Sequence, residues 1–216
     1  MLKSLNKVQK SAVQSFGKPV LIFAGAGSGK TRVLTHKIAY LASENLIPEK
    51  NILAVTFTNK AAQEMKMRVA SLNKKKTIEA TIGTFHSICA RILRKEINNI
   101  GFTSDFTIFD VQDQISLSKV ILDEMKVTKD KLSPQNAKYL ISSYKNKLIF
   151  PNELQSKANS SQEKLFAEFY KKYQDSLSDN NAADFDDLLL LPLKLFKENP
   201  AILKKYQNLW KYVLVD

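Results

Sequence analysis

Cysteine is nearly absent. Cys89 stands alone in 216 residues, so no internal disulfide framework can staple the fold, and with two histidines beside it a structural zinc site is not expected. No apolar run approaches the ~18 residues that a bilayer-crossing helix needs. The longest, around residues 20–27 and 188–193, have the length of a core strand or core helix. Met1-Leu2-Lys3-Ser4 carries no apolar stretch of the kind a secretory leader needs. A soluble, cytoplasmic protein with no membrane partner is expected. No internal repeat or low-complexity linker is present. The length fits one large domain or two small ones, and with 44% of its residues apolar the chain can bury a real core.

Acidic side chains are scarce in one half only. Residues 1–100 hold 17 basic and 5 acidic side chains, whereas residues 101–216 hold 16 of each. The whole formal charge of +12 therefore belongs to the first half. A general bias toward lysine would not leave the second half neutral, so the asymmetry points to a polyanionic partner, nucleic acid before others.

The first hundred residues alternate between strand and helix patterns. Val20-Leu21-Ile22-Phe23 is apolar at every position, as expected for a strand buried on both faces. A glycine-rich turn follows, then a helical pattern over 30–43. Ile52-Leu53-Ala54-Val55 predicts a second buried strand, and Thr58 or Asn59 can cap a helix over 60–72. Residues 77–82 read as a third strand and 85–99 as a helix that Gly101 is placed to end. Short strand-helix repeats imply an α/β fold with a parallel sheet.

Residues 104–182 are almost wholly helical in pattern, with strand signal confined to 106–109. Helices are expected over 111–125, 134–147 and 162–177. Ser133-Pro134 supplies an N-cap followed by proline at the first helical position, and Ser160 with Glu163 fits a capping box. Beyond, Asp184 caps a helix to about 196, expected to kink at Pro192, and another helix spans about 200–210. Asp184, Asp186 and Asp187 read as the cap and first turn of that helix rather than as a paired-carboxylate site. Tyr212-Val213-Leu214-Val215-Asp216 is an apolar strand ending in a carboxylate. Native chains rarely stop on the last residue of a buried strand, so a longer parent protein is expected.

The strongest chemical signal is Ala24-Gly25-Ala26-Gly27-Ser28-Gly29-Lys30-Thr31, which follows a strand pattern and opens a helix. Small residues let the backbone curl until several N–H groups converge on phosphate oxygens, and the helix N-terminus adds partial positive charge. Lys30 can reach the β- and γ-phosphates, and the Thr31 hydroxyl can hold Mg²⁺. The usual first glycine of such a loop is Ala24 here. A magnesium-nucleotide site also needs a carboxylate at a strand end, which Asp216 supplies.

Further segments follow in a fixed order: Leu5-Asn6-x-x-Gln9, then the phosphate loop with Arg32, then Val55-Thr56-Phe57-Thr58-Asn59-Lys60-Ala61-Ala62, Gly83-Thr84-Phe85-His86-Ser87, Asp184-Phe185-Asp186-Asp187-Leu188 and Val213-Leu214-Val215-Asp216. The set resembles the superfamily 1 DNA helicases of the UvrD, PcrA and Rep type, over nearly the whole chain. The resemblance implies a RecA-like P-loop NTPase domain (1A) over residues 1–103, a helical insertion (1B) over 104–182, and a return to the first domain over 183–216. It implies ATP and Mg²⁺ as cofactors, with Gln9 reading adenine, residues Ala24 to Thr31 holding phosphate, and Arg32 near the base. Phe57, Thr58, Asn59, Thr84, Phe85 and His86 would contact single-stranded DNA. It implies an ATP-dependent helicase moving 3′ to 5′ on single strands and acting at duplex junctions. A second RecA-like domain with the arginines that complete the ATP site would lie outside these residues, and so would the glutamate expected to activate water.

Three rivals remain at this point. One is the helicase subunit of a RecB- or AddA-like recombination nuclease, against which the compact middle block argues. The others are a phosphate-loop kinase or ATPase that never touches DNA, and a non-catalytic nucleic-acid-binding module. Lys74-Lys75-Lys76 reads as a solvated turn and is given no role.

Overall fold

The computed structural model of the chain describes residues 2–25, 27–74 and 77–216. In chain order the elements are α1 (Lys7–Gln14), α2 (Lys30–Ser43), β1 (Ile52–Thr56), α3 (Asn59–Asn73), β2 (Thr81–Thr84), α4 (Phe85–Glu96), β3 (Thr107–Phe109), α5 (Val111–Glu124), α6 (Pro134–Asn146), α7 (Pro151–Lys157), α8 (Ser161–Asp179), β4 (Ala182–Asp184), α9 (Phe185–Glu198), α10 (Pro200–Leu209) and β5 (Tyr212–Val215). They fall into two compact units. One takes the chain up to Ile88 together with Ala201–Asp216, the other Cys89–Pro200.

The first unit is built on a parallel sheet of order β2-β1-β5. β1 is central and buried at all five positions, which accounts for the apolar run Ile52-Leu53-Ala54-Val55. Ile38 and Leu41 of α2, Met65 and Val69 of α3, Ile82 of β2 and Leu214 of β5 close a core around Ile52 and Ala54. Thr56 pairs with Thr84, and Val55 with both Gly83 and Val215. This register brings the carboxyl ends of the three strands level, so the residues that follow, Phe57, Phe85 and Asp216, share one edge of the sheet.

One expected strand does not form. Residues 20–23 adopt no regular structure, and Leu21 and Phe23 are 78% and 90% exposed. A run that is apolar at every position needs a ladder on each side and a layer on each face. In the described sheet β5 lies at the edge with Val213 and Val215 exposed, and residues 16–22 and 211–216 line a common cavity of about 710 Å³. Without a ladder on either side the segment does not enter the described sheet.

The second unit is mainly helical. Leu122, Ile141, Phe166, Phe169, Tyr170, Tyr173 and Leu177 form its larger core, where Phe166 stacks with Tyr144 at 5.4 Å between ring centroids. Phe166, Phe169, Tyr170, Tyr173 and Leu177 lie along one face of α8, which covers the helix expected over 162–177. Leu93, Ile97, Phe106, Ala183, Leu188 and Leu191 form a smaller core beside a two-stranded parallel ladder of β3 and β4. Gly101, at φ +90°, ends the 3₁₀ turn that follows α4.

Asp184 caps α9 as the sequence predicts, in a reciprocal box with Asp187. Both carboxylates are also buried against Lys145, whose ammonium lies 2.8 Å from Asp184 and 2.7 Å from Asp187. The Tyr173 hydroxyl donates to Asp184 at 3.1 Å. Burial works against the Lys145 ammonium, but the two carboxylates outweigh it and hold its pKa above that of a free lysine. Burial likewise raises Asp187 above the usual carboxylate range, partly offset by Lys145.

Candidate functional site

The sequence-predicted phosphate loop leads directly into α2, with its chemistry concentrated at the helix start. The N-cap, Gly29, has φ +89° and provides no side-chain hydrogen bond to the first turn. In α1, α3, α5, α6, α8 and α9 an Asn, Thr, Asp or Ser oxygen accepts from that turn. At α2 these donors are left for an anion, and the helix dipole favours negative charge there. A Cβ on Gly29 would stand 3.0 Å from the Gln9 amide nitrogen, on top of the left-handed backbone. Ala26, one of the expected phosphate-loop residues, lies outside the described residues.

Lys30 folds back over its own loop, donating to the carbonyls of Ala24 at 3.0 Å and Gly25 at 2.9 Å. Ser28 also donates to Gly25, at 2.7 Å. These neutral acceptors are weaker partners for an ammonium than phosphate oxygens are, so the lysine is held where an anion can take it over. Next to it the Thr31 hydroxyl donates to Asp216 at 2.9 Å. A half-buried hydroxyl and an exposed carboxylate side by side are the hard oxygen donors that Mg²⁺ binds together with water and phosphate. The donor set fits the metal, and the uncapped helix start fits the nucleotide's phosphates.

Gln9 sits against this loop. Its amide N–H donates to the Ser28 carbonyl at 3.1 Å, and its oxygen accepts from the Asn6 backbone at 3.2 Å, completing the α1 capping box. Arg32 is exposed but tethered. Its guanidinium donates to the Ser4 carbonyl at 2.8 Å. His36 Nδ1 lies 2.8 Å from the Arg32 carbonyl, which can only accept, so this nitrogen carries the proton.

At the level strand ends, Phe57 is 88% exposed, directly after the buried Thr56. Thr58 caps α3 by accepting from Ala61 at 3.1 Å, and Asn59 is the first residue of that helix. Accepting leaves the Thr58 O–H able to donate to a phosphate oxygen. Thr84 and Ser87 cap α4 reciprocally, at 3.2 and 2.9 Å. Gly83 is required there, because a Cβ would come within 2.7 Å of the Ser87 hydroxyl. Phe85 is half exposed and His86 half buried. The structure thus gathers Gln9, Lys30, Thr31 and Asp216 around one helix start. Phe57, Thr58, Asn59, Thr84, Phe85 and His86 follow the carboxyl ends of β1 and β2.

A family model described as the UvrD/REP helicase N-terminal domain matches residues 5–216. The chain belongs to that family. Over all 216 residues it is 45% identical to a protein of Bacillus subtilis strain 168 named ATP-dependent DNA helicase PcrA. It is 45% identical to the protein of that name from Staphylococcus epidermidis and 44% identical to one from Staphylococcus aureus, again over its full length. The chain spans 29% of the Bacillus protein and 30% of each staphylococcal one. As a family member it combines a parallel sheet with a helix-rich unit. No helix among its described residues is long and apolar enough to cross a membrane.

Sequence reasoning misses two buried lysines, Lys37 and Lys145. Lysine is ordinarily exposed, and neither position carries a local pattern that marks it as buried. Helix α1 is also missed, although Asn6 and Gln9 have the spacing of a capping box.

Proposed function

We propose that this chain is the nucleotide-binding and DNA-contacting part of an ATP-dependent DNA helicase, cytoplasmic, that moves 3′ to 5′ along single strands toward duplex junctions. The observation that supports this best is the hydrogen bond between Thr31 and Asp216. It joins the end of the phosphate loop to the end of a neighbouring parallel strand, the arrangement that hydroxyl-plus-carboxylate metal binding requires. In this reading residues 1–103 and 183–216 form the first RecA-like domain (1A), and 104–182 its helical insertion (1B).

The residues have separable tasks. The backbone from Gly25 to Thr31 and the ammonium of Lys30 hold and orient the triphosphate. Thr31 and Asp216 would hold Mg²⁺, which when bound supplies positive charge against the triphosphate. Gln9 offers a donor and an acceptor to the adenine edge, and Arg32 keeps the segment around Ser4 in place near it. Phe57 and Phe85 offer faces for bases, while Thr58, Asn59, Thr84 and His86 offer polar groups to phosphates. Stacking is sequence-tolerant, which suits a protein that must pass along any strand.

Hydrolysis by the 216-residue chain alone is not expected. A charge-stabilising arginine supplied from outside is worth ~10³–10⁵ in rate in related phosphate-loop enzymes, and the family resemblance puts such arginines in a second domain.

Lys30→Ala tests the nucleotide assignment. In the 216-residue chain it should abolish calorimetric binding of Mg-ATP with circular dichroism unchanged, and in the full-length parent it should abolish DNA-stimulated hydrolysis. Ordinary turnover in that variant refutes the phosphate-loop reading. Turnover that DNA does not stimulate in the intact parent favours a phosphate-loop ATPase that does not act on DNA.

A further inference from the structure

Helix α1 carries the proposed base reader, Gln9, yet has little to hold it in place. It is eight residues long, and Val13 is its one buried residue. Val8 is 79% exposed. Helices this short are marginal by themselves, and one valine gives little anchorage.

The holding contacts come from α2. Lys37 lies in its buried face, 4% exposed, two turns after Lys30. Its ammonium donates to the carbonyl of Val13 at 2.8 Å and to that of Ser15. These belong to the C-terminal end of α1, where carbonyls lack helical partners and the dipole favours a cation. On its remaining side the ammonium lies 5.6 Å from the centre of the Tyr212 ring in β5, which itself stacks with Phe16 at 6.0 Å. Burial lowers the Lys37 pKa below the usual lysine value. Arg32 and His36 grip the other end, at Ser4. Basic residues of one helix thus hold both ends of the short segment that bears Gln9.

We propose that Lys37 is a positioning residue for base recognition: by fixing the C-terminus of α1 on α2 it sets Gln9 against the phosphate loop, so that adenine preference depends on a lysine that touches no nucleotide. This rests on the reading of Gln9 as the adenine contact. The phosphates are held by α2 and its loop and do not require α1. Loss of the clamp should therefore erase the preference between bases while leaving affinity for phosphate alone.

The test measures binding of Mg-ADP, Mg-GDP and inorganic tripolyphosphate to the 216-residue chain by calorimetry, for wild type, Gln9→Ala, Lys37→Met and Lys37→Arg. Wild type should prefer ADP over GDP by about tenfold, the yield of one or two net hydrogen bonds. Lys37→Met should reduce that preference to about twofold or less, with tripolyphosphate affinity within about twofold of wild type. Lys37→Arg, whose guanidinium can still serve both carbonyls, should restore it. Unchanged preference in Lys37→Met, with Gln9→Ala impaired, overturns the positioning role alone. Unchanged preference in Gln9→Ala overturns the base reading and this proposal with it. Parallel loss of tripolyphosphate binding in Lys37→Met shows a general structural role and overturns the proposal too. Should Lys37→Met fail to fold, hydrogen exchange on wild type decides. Amides of residues 10–14 should be protected like those of α2, and free exchange there overturns the clamp.

Discussion

Thr31 donates its hydroxyl proton to Asp216 at 2.9 Å across 185 positions of sequence. The contact is possible because β1 pairs in register with β5, which sets Asp216 beside the start of α2; the Asp216 amide itself donates to the Val55 carbonyl at 2.9 Å. Asp216→Asn keeps an oxygen for Thr31 and removes the charge. It should therefore spare the fold and weaken the contribution of Mg²⁺ to ADP binding by about tenfold, or ~1.4 kcal/mol. Titrating ADP with magnesium and with EDTA checks this. The wild type should fall to the level of the variant when the metal is removed. A variant that responds to magnesium like wild type would remove Asp216 from the metal site.

Phe57 offers the clearest separation of stability from binding. With 88% of its surface exposed, it contributes little to the core, so Phe57→Ala should change unfolding free energy by no more than about 0.5 kcal/mol. Losing a stacking platform should weaken single-stranded DNA binding by ~1–3 kcal/mol. Because no phosphate contact is removed, the slope of log affinity against log salt should stay as it is. Fluorescence anisotropy with an oligonucleotide across a salt series reads both quantities.

Photo-crosslinking tests the charge asymmetry. Bromouracil-containing single strands should attach to peptides covering residues 57–60 and 85–86, because exposed aromatic and basic groups follow the strand ends there. Mass spectrometry of the digested adduct identifies the sites. Attachment confined to residues 104–182 would contradict the assignment of the DNA-contacting surface.

Much of this architecture is legible in sequence because local and global preferences agree. The helix over residues 30–43 has a glycine before it and an apolar stripe along it, and α2 has those bounds. The Ser133-Pro134 start, the Ser160 box and the Asp184 cap all form as their chemistry dictates. Val20-Leu21-Ile22-Phe23 misleads because apolarity records what a segment can bury, whereas pairing depends on which neighbours are present. Ala182-Ala183-Asp184 gives no β-branched or aromatic signal, yet forms β4 through pairing with β3. The clamp at Lys37 and the ion cluster at Lys145 are invisible for a different reason. Their meaning lies in carbonyls and carboxylates that only the tertiary structure brings close.

That cluster carries the last prediction. Lys145 faces Asp184 and Asp187, the Tyr173 hydroxyl donates to Asp184 and Gln174 to Asp187 at 3.3 Å. With one cation between two carboxylates, its loss is far more serious than the loss of one acid. Lys145→Met leaves two buried carboxylates without a counter-ion and should destabilise the Cys89–Pro200 unit by ~3–5 kcal/mol. Asp187→Asn keeps an acceptor for Lys145 and removes the excess charge, so it should cost under about 1.5 kcal/mol. The pH dependence has a definite sign. The Lys145 pKa is raised in the folded chain from its ordinary value of 10.5, so its contribution is complete below that value and is lost as pH rises through the folded one. Asp187 is raised from 3.8, so its own contribution is greatest in acid and declines as pH climbs through its folded pKa. Urea unfolding followed by far-ultraviolet circular dichroism should show wild type losing stability above about pH 10.5. Lys145→Met, already without the ammonium, should lack that component of the alkaline decline. An identical alkaline decline in the two proteins would mean that Lys145 does not hold this cluster together.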